Sequence, residues 1–403
     1  MSRAETTPAP IPADRFEEGD FVAACNEEPT SLVYFLLNVG DGDTQLILLP
    51  SDPKPAHRGR RGSDAKDDDH KRQAIVVDVA TNDKLPALVE AMADPKHSLL
   101  PSRGDRRDEF PIVVGTHPHD DHIGGMPQFL AWFGDHIKEY WDSGYYHPTS
   151  AYLETMVHLE EHKEKVTVTQ PTSGMTRYIG TVKISAIAPG VGLRSRYDTL
   201  GVNINDASIA LKLEFPASRI VQKGGNRAYK RPEAPWSLLL GGDAQTTSWA
   251  QAAVDFPHLL TEGELRTQLK DQMGPDPLSA EIFKVPHHAS KHGVNVELVE
   301  RVHPQLCLVS SVGGAGRYNF PHHLAVEAVR EGLEESTSGQ RRSPDYDLTL
   351  LYTSDRRGVR SKEPLGSIAV IVPPRRSRLS VWRFRDEPND RIDFSRALRF
   401  DMR

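Results

Sequence analysis

One segment limits what this chain can fold into. A short apolar run at residues 111–115 enters Gly115-Thr-His-Pro-His-Asp-Asp-His-Ile-Gly-Gly125, after which apolar residues recur at helical spacing over 127–137. A buried strand that delivers histidines and carboxylates into a turn before a helix belongs in an α/β fold with a ligand-binding sheet edge. On extended chain alternate residues point the same way, so His117 and His119 can present imidazoles to one ion, with Pro118 stiffening the segment between them. As the chain turns into the helix, Asp121 and His122 can face a second ion, and Gly124 and Gly125 let the helix start lie close to the strand. An accidental match to this pattern has a chance on the order of a few in a thousand. The loop is therefore read as holding parts of two metal sites. Asp120 is assigned no ligand role; its expected place is solvent, or orientation of a neighbouring histidine.

Strands and helices alternate along the rest of the chain. Residues 32–37 and 45–49 are apolar runs joined by Asn38-Val-Gly-Asp-Gly-Asp43, which predicts a β-hairpin. Further strands are predicted over 74–79, 181–188, 209–215, 237–240, 282–285, 306–310, 367–372 and 379–385. Leu85, Leu88, Val89 and Met92 have the spacing of a one-faced helix, and helices are expected over 295–302 and 324–333. The expected organisation is an N-terminal arm over 1–30, a hydrolase-like domain over 31–372, and a basic extension over 373–403. Charged or polar insertions interrupt the domain near 51–73, 222–235 and 334–344.

Composition narrows the function classes. The chain has 403 residues and a net charge of −7, which argues against nucleic-acid binding by bulk attraction and leaves only local basic contacts. Its apolar runs are too short to span a bilayer, and its acidic start lacks the pattern of an export signal, so the expected compartment is the cytoplasm, with no membrane partner. Cys25 and Cys307 have no metal-ligand spacing and read as small apolar filler. From Pro374 to Arg403 nine arginines face five acidic residues, a surface that could meet an anionic or protein partner, as could the insertions.

Two more segments complete the constellation. Trp236-Ser-Leu-Leu-Leu-Gly-Gly-Asp243 ends a strand with a carboxylate, and Asp243 is the candidate bridge between the ions. Ile282-Phe-Lys-Val-Pro-His-His-Ala-Ser290 ends another with adjacent histidines. Side chains of neighbours on extended chain diverge, so one of His287 and His288 is expected to ligate while the other contacts substrate or donates a proton.

Taken in order, His117-Pro-His-Asp-Asp-His122, Gly242-Asp243 and Val285-Pro-His-His-Ala-Ser290 resemble the metallo-β-lactamase superfamily, in particular the branch typified by the hydrolase domain of the competence protein ComEC. Phe35-Leu-Leu-Asn-Val-Gly-Asp-Gly-Asp43, Trp141-Asp-Ser-Gly144 and Asn205-Asp-Ala-Ser208 are similar to further segments of that branch. The resemblance covers residues 31–372 and lacks the membrane channel of a complete ComEC protein. It implies a four-layer αβ/βα sandwich with a dinuclear site at one edge. His117 and His119 would hold one metal, Asp121, His122 and one of His287/His288 the other, and Asp243 would span them. The branch often has a His-Pro where residues 181–189 end Ala-Ile-Ala-Pro, so one metal is expected to have fewer protein ligands.

These ligands suit two divalent ions, zinc first, with manganese or iron as competitors. The implied chemistry is hydrolysis by a metal-activated water, with Asp121 and His287 or His288 as catalytic groups and Asn205, Ser290 and Lys291 as substrate contacts. The expected substrate is a small molecule or nucleic acid with phosphodiester-type bonds, a nuclease being one form. Alternatives are carboxylic ester, thioester or lactam hydrolysis, or a partner-binding module with a regulated metal site.

Overall fold

The computed structural model describes residues 16–51, 72–102, 109–194, 203–217, 219–223, 226–230, 235–255, 277–311, 320–336, 349–354 and 365–402. Ten strands form the first sheet, in the order β1 (Glu17–Gly19), β19 (Ala397–Met402), β18 (Leu379–Arg383), β17 (Ile368–Val372), β2 (Leu32–Leu36), β3 (Thr44–Leu48), β4 (Ala74–Val79), β5 (Phe110–Gly115), β6 (Ile137–Asp142) and β7 (Thr167–Thr169). Seven form the second: β16 (Leu350–Tyr352), β15 (Leu306–Val309), β14 (Ile282–Lys284), β13 (Trp236–Leu240), β10 (Ala210–Phe215), β9 (Val182–Ala188) and β8 (Thr176–Ile179). Parallel pairing runs from β4 to β7 and from β13 to β16, and the remaining pairs are antiparallel.

Strand alternation explains the layering. Leu32, Tyr34 and Leu36 of β2 face the second sheet, where Leu211, Leu238, Ile282 and Leu308 close an apolar core between the sheets. The opposite residues, Val33 and Phe35, pack under helices, among them α2 (Lys84–Ala93), whose Leu85, Leu88, Val89 and Met92 are buried as their spacing predicts. On the far side, Phe283 and Cys307 lie beneath α8 (Val296–Val302) and α9 (His323–Ser336). Each fully buried Leu, Ile or Phe contributes about 1.5–3 kcal/mol. The result is the expected four-layer α/β sandwich. Among the described residues no helix is long and apolar enough to cross a membrane.

Three boundaries differ from expectation. Within the expected arm, β1 pairs with β19, and α1 (Phe21–Glu27), capped by Asp20, buries Phe21 against Phe35, Trp382, Phe384 and Phe394. The basic extension supplies β18 and β19, burying Leu379, Val381, Trp382 and Phe400 together with Arg383, whose guanidinium donates to the carbonyls of Tyr352, Leu365 and Gly366. The insertion near 222–235 contains part of a hairpin, β11 (Arg219–Lys223) with β12 (Asn226–Lys230). Most of 51–73 and 334–344 lies outside the described residues. Arg72 is buried, donating to the carbonyls of Ser31, Glu28 and Cys25. Cys25 and Cys307 are both buried and unbridged.

Candidate metal centre

The site forms at the carboxyl edges of β4, β5, β13 and β14. Between Thr44 and Gln45 the β3–β4 register shifts, leaving Asp78 as a bulged residue with φ of 61°. Its carboxylate turns to the end of β5, accepting from Thr116 N and Oγ1, each at 2.7 Å, and lying 2.7 Å from His122 Nδ1. Asp121 and His122 occupy the short helix α3 (Asp120–Ile123). A Cβ on Gly125 would lie 2.3 Å from the Thr81 carbonyl, so only glycine allows the chain this close to the loop after β4.

Asp243 follows β13 through Gly242, whose φ of 52° suits glycine. The histidine pair after β14 does not lie on extended chain. His287, His288 and Ala289 all have positive φ, and this left-handed turn sends the two rings to different oxygens of one carboxylate. His287 Nε2 lies 3.6 Å from Asp243 Oδ2, and His288 Nε2 lies 3.7 Å from Oδ1. Divergence of neighbouring side chains therefore does not keep either histidine out of the cluster.

Tracing the protons defines the chemistry. Thr116 Oγ1 gives its proton to Asp78 and can accept from His117 Nδ1 at 3.2 Å; His122 Nδ1 gives its proton to Asp78; His288 Nδ1 donates to the Ser310 carbonyl at 3.0 Å. Each of these buried rings then directs its Nε2 inward, where a metal ion could take the place of a proton. His122 Nε2 is 3.1 Å from Asp243 Oδ1, His117 Nε2 is 3.8 Å from Oδ2, and His117 Nε2 is 3.1 Å from His119 Nδ1. His122 Nε2, His288 Nε2 and Asp243 Oδ1 are buried without a hydrogen-bond partner, a cost of about 1–3 kcal/mol each. Acceptors that converge on acceptors call for a cation. Ligands about 2.0–2.2 Å from one zinc ion would lie roughly 3.3–3.6 Å apart, close to the spacings here. Asp121, His122, Asp243 and His288 bring four such atoms within 4.8 Å of one another. The residues fit a metal centre.

Electrostatics agree. Burial favours the neutral form of Asp243, but His122, His288 and His287 outweigh it and hold the carboxyl well below its usual range. Burial likewise disfavours charge on His122, yet Asp243 and Asp78 push it well above the ordinary imidazole value. For His117, burial and then His122 lower it well below that value.

Of the other predicted residues, Asn205 is buried, with Nδ2 3.4 Å from His287 Nε2. Ser290 Oγ instead accepts from His292 N in its own turn, and Lys291 is exposed beside it, so neither is drawn into the cluster. Asp120 is exposed, as expected. Three residues around the cluster were missed, Asp78, Asp43 and Lys284; the His147 ring centroid lies 5.5 Å from that of His119. The signal for Asp78 and Lys284 was a charged residue inside an apolar strand.

The family model of the metallo-beta-lactamase superfamily matches residues 68–191. No curated protein matches the sequence. Similar solved structures include the metallo-beta-lactamase fold protein YhfI from Bacillus subtilis, at 9% identity and a TM-score of 0.35, covering 80% of this chain and 96% of that one. CmlA, a diiron β-hydroxylase from Streptomyces venezuelae, matches at 11% identity and a TM-score of 0.35, over 76% of this chain; the match spans 51% of that protein. Igni18, a metallo hydrolase from Ignicoccus hospitalis, matches at 11% identity and a TM-score of 0.27, covering 69% and 81%. Residues 68–191 thus match the metallo-beta-lactamase superfamily model, and the two sheets flanked by helices are consistent with that fold.

Proposed function

We propose that the chain is a metal-dependent hydrolase that cleaves phosphodiester-type bonds, within the branch that resembles the ComEC hydrolase domain. The observation that carries the reading is the convergence of the buried Nε2 atoms of His117, His122 and His288 on the Asp243 carboxylate. His117 and His119 would hold one ion, Asp121, His122 and His288 the other, with Asp243 between them. Bound divalent cations, zinc first and manganese or iron next, would lower the proton affinity of a water and polarise a phosphoryl oxygen.

The protein's own groups would do the rest. Asp121, one-third exposed, is held ionised below the usual carboxylate range because His288 and His122 outweigh its burial, so it can accept a hydrogen bond from a water and orient it. His287 is 14% exposed and accepts from Gln245 Nε2 at 2.9 Å through Nδ1. That places its proton on Nε2, 3.6 Å from Asp243 Oδ2, from where it can be donated to a substrate oxygen bound at the cluster. Asn205 Nδ2 adds a second donor nearby.

Phosphate is favoured over a neutral ester by the rim. Phe320 packs its ring 5.5 Å from those of His287 and His288, and His322 N donates to the Ala289 carbonyl at 2.9 Å. This segment carries His322 and His323, stacked at 4.6 Å, to the side of Lys291 and His292. Lys291 and His292 are exposed beside His322 and His323, so basic side chains gather at this rim and suit an anion. The test compares bis(p-nitrophenyl) phosphate with p-nitrophenyl acetate, a thioester and a lactam, with Zn²⁺ or Mn²⁺ present. Preferential phosphodiester cleavage, competitively inhibited by inorganic phosphate, is expected; preference for the acyl substrates would overturn the assignment.

A further inference from the structure

The turn between β2 and β3 touches both ligand-bearing loops. Asp43 N donates to the Asp121 carbonyl at 2.9 Å, on the loop after β5 in the first sheet. Its side chain accepts from Lys284 Nζ, at the end of β14 in the second sheet. The neighbouring Gly42 carbonyl accepts from Ser310 Oγ, and the Ser310 carbonyl receives the His288 Nδ1 proton. Asp43 Oδ1 itself lies 3.8 Å from His288 Nδ1. Both Asp43 and Lys284 are fully buried.

Asp43, Asp78 and His122 bring ligand atoms within 4.8 Å of one another, a grouping that could pass for another cation site. Lys284 already supplies positive charge there, and both Asp78 oxygens are engaged by Thr116 and His122. The pair is also a poor stabiliser on general grounds. A buried ion pair recovers its desolvation cost with difficulty, and an apolar replacement of similar volume is often neutral or better. Its asset is direction. The core between the sheets is apolar and non-directional, whereas a charge-assisted hydrogen bond, beside the Ser310–Gly42 contact, fixes one sheet edge against the other.

We propose that Asp43 and Lys284 are positioning residues: their buried pair sets the separation between Asp121 and His288, which stand on different sheets, and so governs the ion-binding step that those two share. The inference rests on the metal-centre reading above. Metal-free full-length protein is titrated with Mn²⁺ by calorimetry, alongside Asp43→Asn, Lys284→Met and the double variant, with circular dichroism and Tm recorded before metal is added.

The parent is expected to bind in two steps; a parent that binds nothing defeats the metal-centre reading itself. Given two steps, each single variant should weaken one by about 10–100-fold and leave the other unchanged. The double variant should be no worse than the singles, because the pair acts as a unit. A purely structural brace would lower Tm and leave both steps unchanged, or weaken both equally, and either result overturns the proposal. Where a single variant fails to fold, the double variant, which leaves no unpaired charge, carries the test by the same criteria. If that also fails to fold, the pair is a folding element and the positioning role falls.

Discussion

His122 Nε2 lies 3.1 Å from Asp243 Oδ1, although Nδ1 of the same ring is already held 2.7 Å from Asp78. Two buried acceptors at that separation repel unless a proton or a cation lies between them. Divalent ions should therefore stabilise the chain, by about 2.7 kcal/mol at a free concentration 100 times Kd. Scanning calorimetry with and without Zn²⁺ or Mn²⁺ should show a rise in Tm that chelation reverses; an unchanged Tm would count against the centre.

Asp243→Ala separates stability from activity. Removing the carboxylate removes the group on which the inward nitrogens converge, so a loss of about 4 kcal/mol of transition-state stabilisation, roughly a thousandfold in kcat, is expected. The ion-free variant should match the ion-free parent in Tm only above the raised values of His122 and His288; below them the protonated rings lose their partner and it should melt lower. Near-normal turnover with metal still bound would take Asp243 out of the mechanism.

Asp78 never faces substrate, yet it holds both Thr116 and His122. Asp78→Ala should weaken metal binding by about 10–100-fold through loss of His122 orientation. Asp78→Asn should do less harm, since its amide oxygen can still accept from His122 Nδ1. Equal affinities in the parent and Asp78→Ala, measured by calorimetry, would contradict this role.

The pH dependence has a definite sign. In the ion-free protein Asp243, with Asp78 or Asp121, outweighs burial and raises both His122 and His288 above the ordinary imidazole value. The stabilisation from these protonated rings is present at low pH and lost as pH rises through the raised values. An ion must displace the same protons, so its apparent affinity should fall as pH drops below those values, by up to about tenfold per unit for each proton released. Titrations between pH 6 and 8.5 check this; a Kd independent of pH would contradict it.

The C-terminal segment should be required for folding. Lys84 lies 2.5 Å from Asp386, which also accepts from Ser367 N and Oγ at 2.7 Å, while the Asp386 carbonyl accepts from Asn38 Nδ2 at 2.9 Å, at the head of the Asp43 turn. A chain ending at Pro373 loses β18, β19 and the buried Trp382, Phe384 and Phe400. It should give no cooperative melt by circular dichroism; a truncated chain with native Tm would show that the segment is dispensable.

Much of the scaffold was legible because buried strands and the one-faced helix at Lys84–Ala93 carry short-range patterns, and because His117–His122 packs its chemistry into one loop. The rest depended on tertiary context. Asp78 and Lys284 look like interruptions of apolar strands until the sheets meet and give each a partner. Adjacent His287 and His288 do not announce a left-handed turn, so spacing alone could not show both rings reaching Asp243. Phe21 and Trp382 sit in polar stretches near opposite ends of the chain, and only their contact with each other reveals that both stretches belong to the core.

The central claim is that the inward-facing nitrogens and the Asp243 carboxylate hold divalent ions, and equilibrium metal stoichiometry tests it most directly. Protein stripped with chelator and dialysed against Zn²⁺ or Mn²⁺ should retain two ions per chain by elemental analysis, falling to one or none in Asp243→Ala. A folded parent chain that retains no ion above buffer background would contradict the account.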